Sequence, residues 1–242
     1  MKPRISILLL TYNLLEHTKE CLRSLVPLMK EDYELIIIDN GSKDGTVGFL
    51  LDNPEYLPSH LKPQLRFNEE NLGIAPALNQ GFEIAKGEVI YWLQNDMVLW
   101  DKNFFEKLYL NFQKYSKVGV VCSTTNYVAT NLQQCLSPES LKHDVISVSK
   151  ADLLSAMISK KCWEDIGGFD EGYKFCNYED TDFILSALKN GWQILIDRDV
   201  WIYHKGSQTS KTYKNFDSLS NNRKRFFTKW GSYPEEKILE LK

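Results

Sequence analysis

Six carboxylates, Asp39, Asp44, Asp96, Glu179, Asp180 and Asp182, fall in short polar clusters that interrupt hydrophobic runs. Carboxylates with no cysteine or histidine cluster beside them suit a hard divalent cation such as Mg²⁺ or Mn²⁺. Such an ion takes one or two carboxylates and fills its shell with phosphate oxygens and water. The adjacent pair Glu179-Asp180 suits a second task, removal of a proton by a general base. Other chemistries lack their parts. There is no G-x-G-x-x-G after a strand and no G-x-x-x-x-G-K-[ST] loop. Neither H-E-x-x-H nor G-x-S-x-G occurs.

The elements that must position these groups alternate between strand and helix patterns. Residues 5–10 and 34–39 are continuous apolar runs, the pattern of strands covered on both faces. Between them, residues 15–29 place Leu15, Leu22, Leu25, Val26 and Met29 near helical spacing, so the three segments predict a right-handed βαβ unit. Residues 53–63 read as a surface loop and 65–68 as a short strand. Ala75, Leu78, Phe82 and Ala85 mark one face of a helix, with Gly87 expected as its left-handed C-terminal cap. Residues 88–93 predict a strand, 103–115 a helix and 118–122 a strand. Three strands thus end in Thr11-Tyr12-Asn13, Asp39-Asn40-Gly41-Ser42 and Gln94-Asn95-Asp96. In open α/β sheets, ligands bind outside the carboxyl ends of the strands.

The second half is less regular. Residues 126–148 read as a long polar loop, 153–159 as a strand, 179–190 as a helix stopped by Gly191, and 193–196 and 200–203 as short strands. Beyond Lys205, basic residues interleave with aromatics at Arg223-Lys224-Arg225-Phe226-Phe227 and Lys229-Trp230. The organisation expected is one domain over 1–204 and a helical extension over 205–242.

Composition narrows the partners. The 242 residues are 43% hydrophobic and carry 29 basic against 32 acidic side chains, a net charge of −3. An ordinary folded domain is implied, without the basic field of a nucleic-acid binder. The five scattered cysteines form no C-x-x-C pair, which predicts a reducing compartment. No apolar run reaches the roughly 20 residues needed to span a bilayer. The expected location is cytoplasmic, with the tail allowing contact at the inner face of a membrane.

Six motifs in order carry a family resemblance: Thr11-Tyr12-Asn13, the stretch Ile38-Asp39-Asn40-Gly41-Ser42-Lys43-Asp44-Gly45-Thr46, Asn71-Leu72-Gly73, Gln94-Asn95-Asp96, Gly167-Gly168-Phe169-Asp170-Glu171 and Tyr178-Glu179-Asp180-Thr181-Asp182. The chain resembles a family 2 glycosyltransferase of the GT-A fold over about residues 5–204. That resemblance implies an α/β, Rossmann-like, mixed but mainly parallel sheet flanked by helices. It also implies an inverting transferase that moves a sugar from a nucleoside diphosphate, with Mg²⁺ or Mn²⁺ as cofactor.

The resemblance distributes roles. Asp39 would accept the N3–H of a uracil or thymine ring, with Thr11 and Asn13 completing the nucleoside pocket. Asn71 and Gly73 would pack against the nucleotide, or serve only as a turn and cap. Asp96 occupies the last position of the family's Asp-x-Asp and would hold the metal, with His204 as a further ligand. Asn95, and the uncharged Gln94, depart from that motif and imply a weaker cation site. Asp180 would be the base and Glu179 would orient the acceptor or the loop. Asp44 is read as a turn residue or a site residue, and Asp182 as an acidic helix start favoured by the helix dipole. Gly167-Gly168 would bring main chain close to a ligand, and Trp163 and Tyr173 would stack on sugars or join the core. Arg223, Arg225 and Lys229 would face the diphosphate or anionic lipid, or form a solvated helix face. The partners expected are a UDP- or dTDP-sugar donor and a glycan, glycolipid or glycoprotein acceptor. The competing readings are a non-catalytic sugar-nucleotide-binding scaffold and a sugar nucleotidylyltransferase; the latter lacks its glycine-rich loop here.

Overall fold

In the computed structural model, which describes residues 2–206 and 216–242, the apolar runs become the centre of one sheet. Strands β1 (Ile5–Thr11), β2 (Tyr33–Asp39) and β4 (Val89–Gln94) contain no exposed residue, as expected for strands covered on both faces. β1 pairs in parallel with β2 on one side and β4 on the other, and β2 pairs in parallel with β3 (Gln64–Phe67). The intervening helices are α1 (Leu15–Leu25), the short α2 (Thr46–Asp52) and α3 (Ile74–Ile84).

The second half extends this sheet. Its elements are β5 (Met97–Val98), α4 (Phe104–Lys114), β6 (Val118–Thr125), β7 (Val145–Val148), β8 (Ser155–Ser159), α5 (Lys160–Ile166), α6 (Glu179–Lys189), β9 (Gln193–His204), α7 (Phe216–Trp230) and β10 (Ile238–Leu239). The strand order is β10-β7-β9-β6-β8-β4-β1-β2-β3, with β5 pairing β9 off this path. β8 lies antiparallel between β4 and β6, whereas β6 and β9 run parallel. The sheet is mixed, and its site-bearing half is parallel.

Alternation along β1 divides the core. Ile5, Ile7 and Leu9 pack with Leu22 and Leu25 of α1 and Phe104 and Leu108 of α4. Leu8 points the other way, toward Leu78 and Phe82 of α3 and Phe183 and Ile184 of α6. Each such buried side chain contributes about 1.5–3 kcal/mol.

Several expectations change in detail. The helix expected over 15–29 ends at Leu25, because Pro27 turns the chain into a 3₁₀ segment, Val26–Leu28. The loop expected over 126–148 contains β7, whose partner β9 is distant in sequence. The two strands expected near 193–203 are one strand with an irregularity between Ser123 and Thr124 of its partner β6. Gly87 does not cap α3: the C-cap is Ala85, in extended conformation. Gly87 serves close approach instead, since a Cβ there would lie 2.6 Å from both the backbone N and the Oγ of Ser6. Within the described residues 216–242, β10 pairs with β7 and Phe226 of α7 is fully buried. Among the described residues, no helix is long and apolar enough to cross a membrane. All five cysteines are free.

The Gly87 contact is with fixed main chain, so Gly87→Ala is expected to destabilise the protein by about 1–3 kcal/mol in urea unfolding. An unchanged midpoint would show that the α3–β4 corner yields.

Candidate active site at the strand ends

The chain leaves β1 toward β2 on one side and arrives at β4 on the other, so the two strands flank a topological switch point. Ligands of open α/β sheets bind outside the carboxyl ends at such a point. A cleft of about 670 Å³ opens there, with Asn40, Asn71, Asn95, Asp96, Asp152 and Asp180 among its polar lining. Aromatic residues Tyr12, Tyr127, Tyr178 and Tyr233 also line it.

Behind the cleft, Asp39 ties the strand ends together. Its fully buried carboxylate accepts Thr11 Oγ1–H at 2.8 Å, Ser42 N–H at 2.8 Å and Ser42 Oγ–H at 2.6 Å. Asn13 (φ 52°) and Leu14 (φ 61°) turn the chain through the left-handed region. The Asn13 amide donates to Ser42 Oγ at 2.6 Å, and its side-chain oxygen accepts from Lys43 N at 2.8 Å. Asp44 is a turn and capping residue, holding the Thr46 hydroxyl at 2.7 Å and the Leu15 amide at the start of α1 at 2.9 Å. Asp39, Thr11 and Asn13 therefore form the structure under the cleft wall rather than its lining.

Asn40 fastens the next loop. Its Nδ2 donates to Asn71 Oδ1 at 2.9 Å and to Gly73 O at 3.1 Å, and its Oδ1 accepts from Asn68 Nδ2 at 3.1 Å. Gly73 (φ 93°) then passes so close to Phe175 that a Cβ would lie 2.8 Å from its nitrogen. Asn71 lines the cleft, and Gly73 lets this loop meet the one from the second half.

At the end of β4, Asp96 and His204 are both buried, with His204 Nε2 3.3 Å from Asp96 Oδ2. On the far side of the ring, Nδ1–H donates to Tyr127 O at 2.9 Å, which fixes Nε2 as the nitrogen facing Asp96. Burial opposes the imidazolium, but the Asp96 hydrogen bond and charge and the Tyr127 carbonyl outweigh it and raise the His204 pKa. One carboxylate oxygen and one imidazole nitrogen, with the imidazole anchored by a carbonyl, fit a divalent ion completed by phosphate and water. Among the described residues no cluster of three or more His, Cys, Asp or Glu side chains forms a self-sufficient metal cage.

Asn95 has another task. Its Nδ2 donates to Asn13 O and to Thr18 Oγ1, each at 2.9 Å, tying β4 to the β1 turn and α1. A carboxylate at this position would face a carbonyl oxygen, which explains the departure from an acidic residue.

On the opposite wall, α6 begins with Glu179 and Asp180 after Tyr178, whose φ is 76°. Asp180 Oδ1 accepts from Thr181 N at 2.6 Å. Burial, then the charge of Asp152, raise the Asp180 pKa against the Thr181 hydrogen bonds. Burial, then the charge of Asp180, raise that of Glu179, whose Oε2 has no hydrogen-bond partner among the described residues. Asp152, which nothing in its local sequence marks, is held with its Oδ2 on Ala129 N–H and Thr130 N–H, each at 2.9 Å, and on Thr130 Oγ1–H at 3.1 Å.

Other expected contributors lie elsewhere. Asp182 is not a solvated helix start; it accepts from Tyr173 Oη at 3.0 Å, Lys229 Nζ at 2.8 Å and Trp230 Nε1 at 2.7 Å. Tyr173 is thus core, and Trp163 packs on Phe82 while donating to Asn79 Oδ1 at 3.1 Å. Gly167 and Gly168, both at φ 82°, end α5 rather than border the cleft. Arg225 grips Asp170 through Nε at 3.1 Å and Nη2 at 2.8 Å, so Arg225 and Lys229 are engaged within the protein. Arg223 lies over the Phe227 ring.

The model for glycosyl transferase family 2 matches residues 6–155, more than half of the chain. The protein belongs to glycosyl transferase family 2. An uncharacterised glycosyltransferase of Nostoc sp. is 30% identical over 118 residues, covering 49% of this chain and 35% of that protein. One of Rickettsia typhi is 26% identical over 232 residues, covering 88% of this chain and 68% of its own. Thus the chain spans about a third of the first relative and about two thirds of the second. Among solved structures, the mannosyltransferase PcManGT of Pyrobaculum calidifontis, in complex with GDP-Man and Mn²⁺, superposes with a TM-score of 0.72 at 18% identity, over 97% of this chain and 66% of that one. TarS 1-349 of S. aureus, in complex with UDP-GlcNAc, gives 0.68 at 17% identity, over 93% and 66%. The fold is therefore that of the GT-A transferases.

Because the Asn95 amide donates to a buried and a part-buried acceptor, Asn95→Asp is expected to destabilise this family 2 protein by about 1–3 kcal/mol in urea titration. A variant as stable as the parent would contradict the bracing role.

Proposed function

We propose that this chain is a metal-dependent, inverting glycosyltransferase that moves a sugar from a UDP- or dTDP-linked donor to a hydroxyl of a glycan, lipid-linked or protein-linked acceptor. The observation that carries the reading is the charge of the cleft. Asp96, Asp152, Glu179 and Asp180 line it, and no lysine or arginine does so among the described residues. A diphosphate entering that field needs a counter-ion, and the Asp96–His204 pair is built to hold one. Family membership, and the sugar nucleotides and Mn²⁺ bound by structures of the same fold, support the same reading.

Each residue then has a role. Asp39 supports the nucleoside end of the cleft from behind, its buried carboxylate fixing the β1 and β2 ends against which the base would rest. Thr11, Asn13 and Ser42 hold that carboxylate in place. Asn71 and Gly73 shape the nucleotide side of the cleft. Asp96 and His204 bind the cation, which when bound neutralises the charge that builds on the departing diphosphate. Asp180 takes the proton of the acceptor hydroxyl while that oxygen attacks the anomeric carbon. The bond to the diphosphate oxygen breaks on the opposite face, so the configuration inverts. Glu179 orients the acceptor through its unengaged Oε2.

The elevated Asp180 pKa has a kinetic sign. The base works as the carboxylate, so activity is lost as pH falls through a pKa above the usual range of about 4. Asp152 and Glu179 are the neighbouring carboxylates, and the Tyr233 phenol lies beside them through Thr181. Asp152→Asn removes one negative charge, so the acidic limb should move to lower pH.

The test is a panel of sugar nucleotides with Mn²⁺, reading release of nucleoside diphosphate. Asp180→Asn is expected to slow transfer by about 10²–10⁴-fold with nucleotide binding retained, and Asp96→Ala to lose metal-dependent binding. Absence of binding to any sugar nucleotide would overturn the reading. Pyrophosphate release from a nucleoside triphosphate and a sugar phosphate would identify a nucleotidylyltransferase instead.

A further inference from the structure

The loop that delivers Glu179 and Asp180 is bent through an unusual backbone. Phe175 (φ 62°), Asn177 (φ 79°) and Tyr178 (φ 76°) are all left-handed and none is glycine. Such residues cost about 1–3 kcal/mol each and persist only where their surroundings over-determine them. The determinant lies on α7. Asn222 is fully buried, and its Nδ2 donates to Lys174 O at 2.8 Å, Cys176 O at 3.0 Å and Asn177 O at 3.2 Å. Its Oδ1 accepts from Lys174 N at 2.8 Å. One side chain thus engages four main-chain groups of the bent loop, with one Nδ2 hydrogen shared between two carbonyls.

The same face of α7 continues the grip. Residues 222, 225, 226, 229 and 230 follow the i, i+3, i+4, i+7, i+8 spacing of one helical stripe. Arg225 holds Asp170 before the loop. Phe226 packs at 5.2 Å on the ring of Tyr178, the N-cap of α6. Lys229 and Trp230 hold Asp182 inside the first turn of α6. The loop is therefore pinned before, within and after its bend.

We infer that α7 is a positioning element of the active site, with Asn222 and the Lys229–Trp230 pair holding the 174–182 segment so that Asp180 and Glu179 face the cleft. This deepens the transfer reading and rests on it for the role of Asp180. The residues act through the loop rather than on substrate. Losing them should impair turnover while leaving the nucleotide side, built on β1, β2 and β4, intact.

Two variants of the full chain test this. Asn222→Ser removes the long amide, and Trp230→Phe keeps the aromatic volume while deleting the indole N–H to Asp182. In both, the turnover number should fall at least about tenfold while the donor KM and the Kd for uridine diphosphate with Mn²⁺ change less than about twofold. Trp230→Phe guards against the case in which Asn222→Ser fails to fold. Hydrogen exchange on the same samples should accelerate at least about tenfold over 172–182 and stay unchanged at the ends of β1 and β4. Acceleration spread evenly over the chain, or a loss of turnover matched by loss of nucleotide affinity, would overturn the positioning role. Should the parent transfer no sugar, the transfer reading falls, and exchange confined to 172–182 still decides whether α7 holds the loop.

Discussion

The constraint on which the rest of the structure depends is negative charge concentrated where water is scarce. Four carboxylates share one cleft, and two of them, Asp96 and Glu179, are almost wholly buried. A buried carboxylate is tolerated only when it is hydrogen-bonded, protonated or paired with a cation. The protein uses all three devices in separate places. Asp39 is saturated by Thr11 and Ser42, Glu179 is driven toward its neutral form, and Asp96 lies against His204. A cleft so arranged favours a cation-bearing ligand on one wall and a proton-donating hydroxyl on the other.

The two walls are built differently. The wall on β1, β2 and β4 consists of strand ends locked by short side chains, and its only left-handed non-glycine residues are Asn13 and Leu14, at the turn. The opposite wall rests on a loop with three such residues, held by a helix that follows it in sequence by some forty positions. In the proposed function, nucleotide recognition sits on the parallel sheet, and proton transfer sits on a segment whose shape is imposed from outside. Gly73 joins the two, because only a residue without Cβ lets the 71–73 loop approach Phe175.

What the sequence made legible follows the range of the interaction. Apolar runs in β1, β2 and β4 disclose strands, and polar residues at their ends disclose the cleft, because both signals are local. Asp96, His204, Glu179 and Asp180 are brought to the same end of the sheet, and motif order makes them readable one by one. Asp152 escapes notice because it stands alone before β8, and only the fold carries it toward Asp180. Asn222 escapes for the same reason: it is a single amide whose partners are main-chain groups about 45 residues away. The basic-aromatic run of α7 was visible, but its meaning was not. Arg225 and Lys229 resemble cations awaiting an anionic surface until Asp170 and Asp182 are placed beneath them.

Electron paramagnetic resonance of Mn²⁺ reads whether a divalent cation joins Asp96 and His204 to the diphosphate of a sugar nucleotide. The sharp spectrum of free Mn²⁺ should fall on adding protein together with uridine diphosphate, by one ion per chain beyond the loss that uridine diphosphate gives alone, and Asp96→Ala should abolish that further loss. An Asp96→Ala protein that still takes up one Mn²⁺ per chain as the parent does would show that Asp96 does not hold the ion.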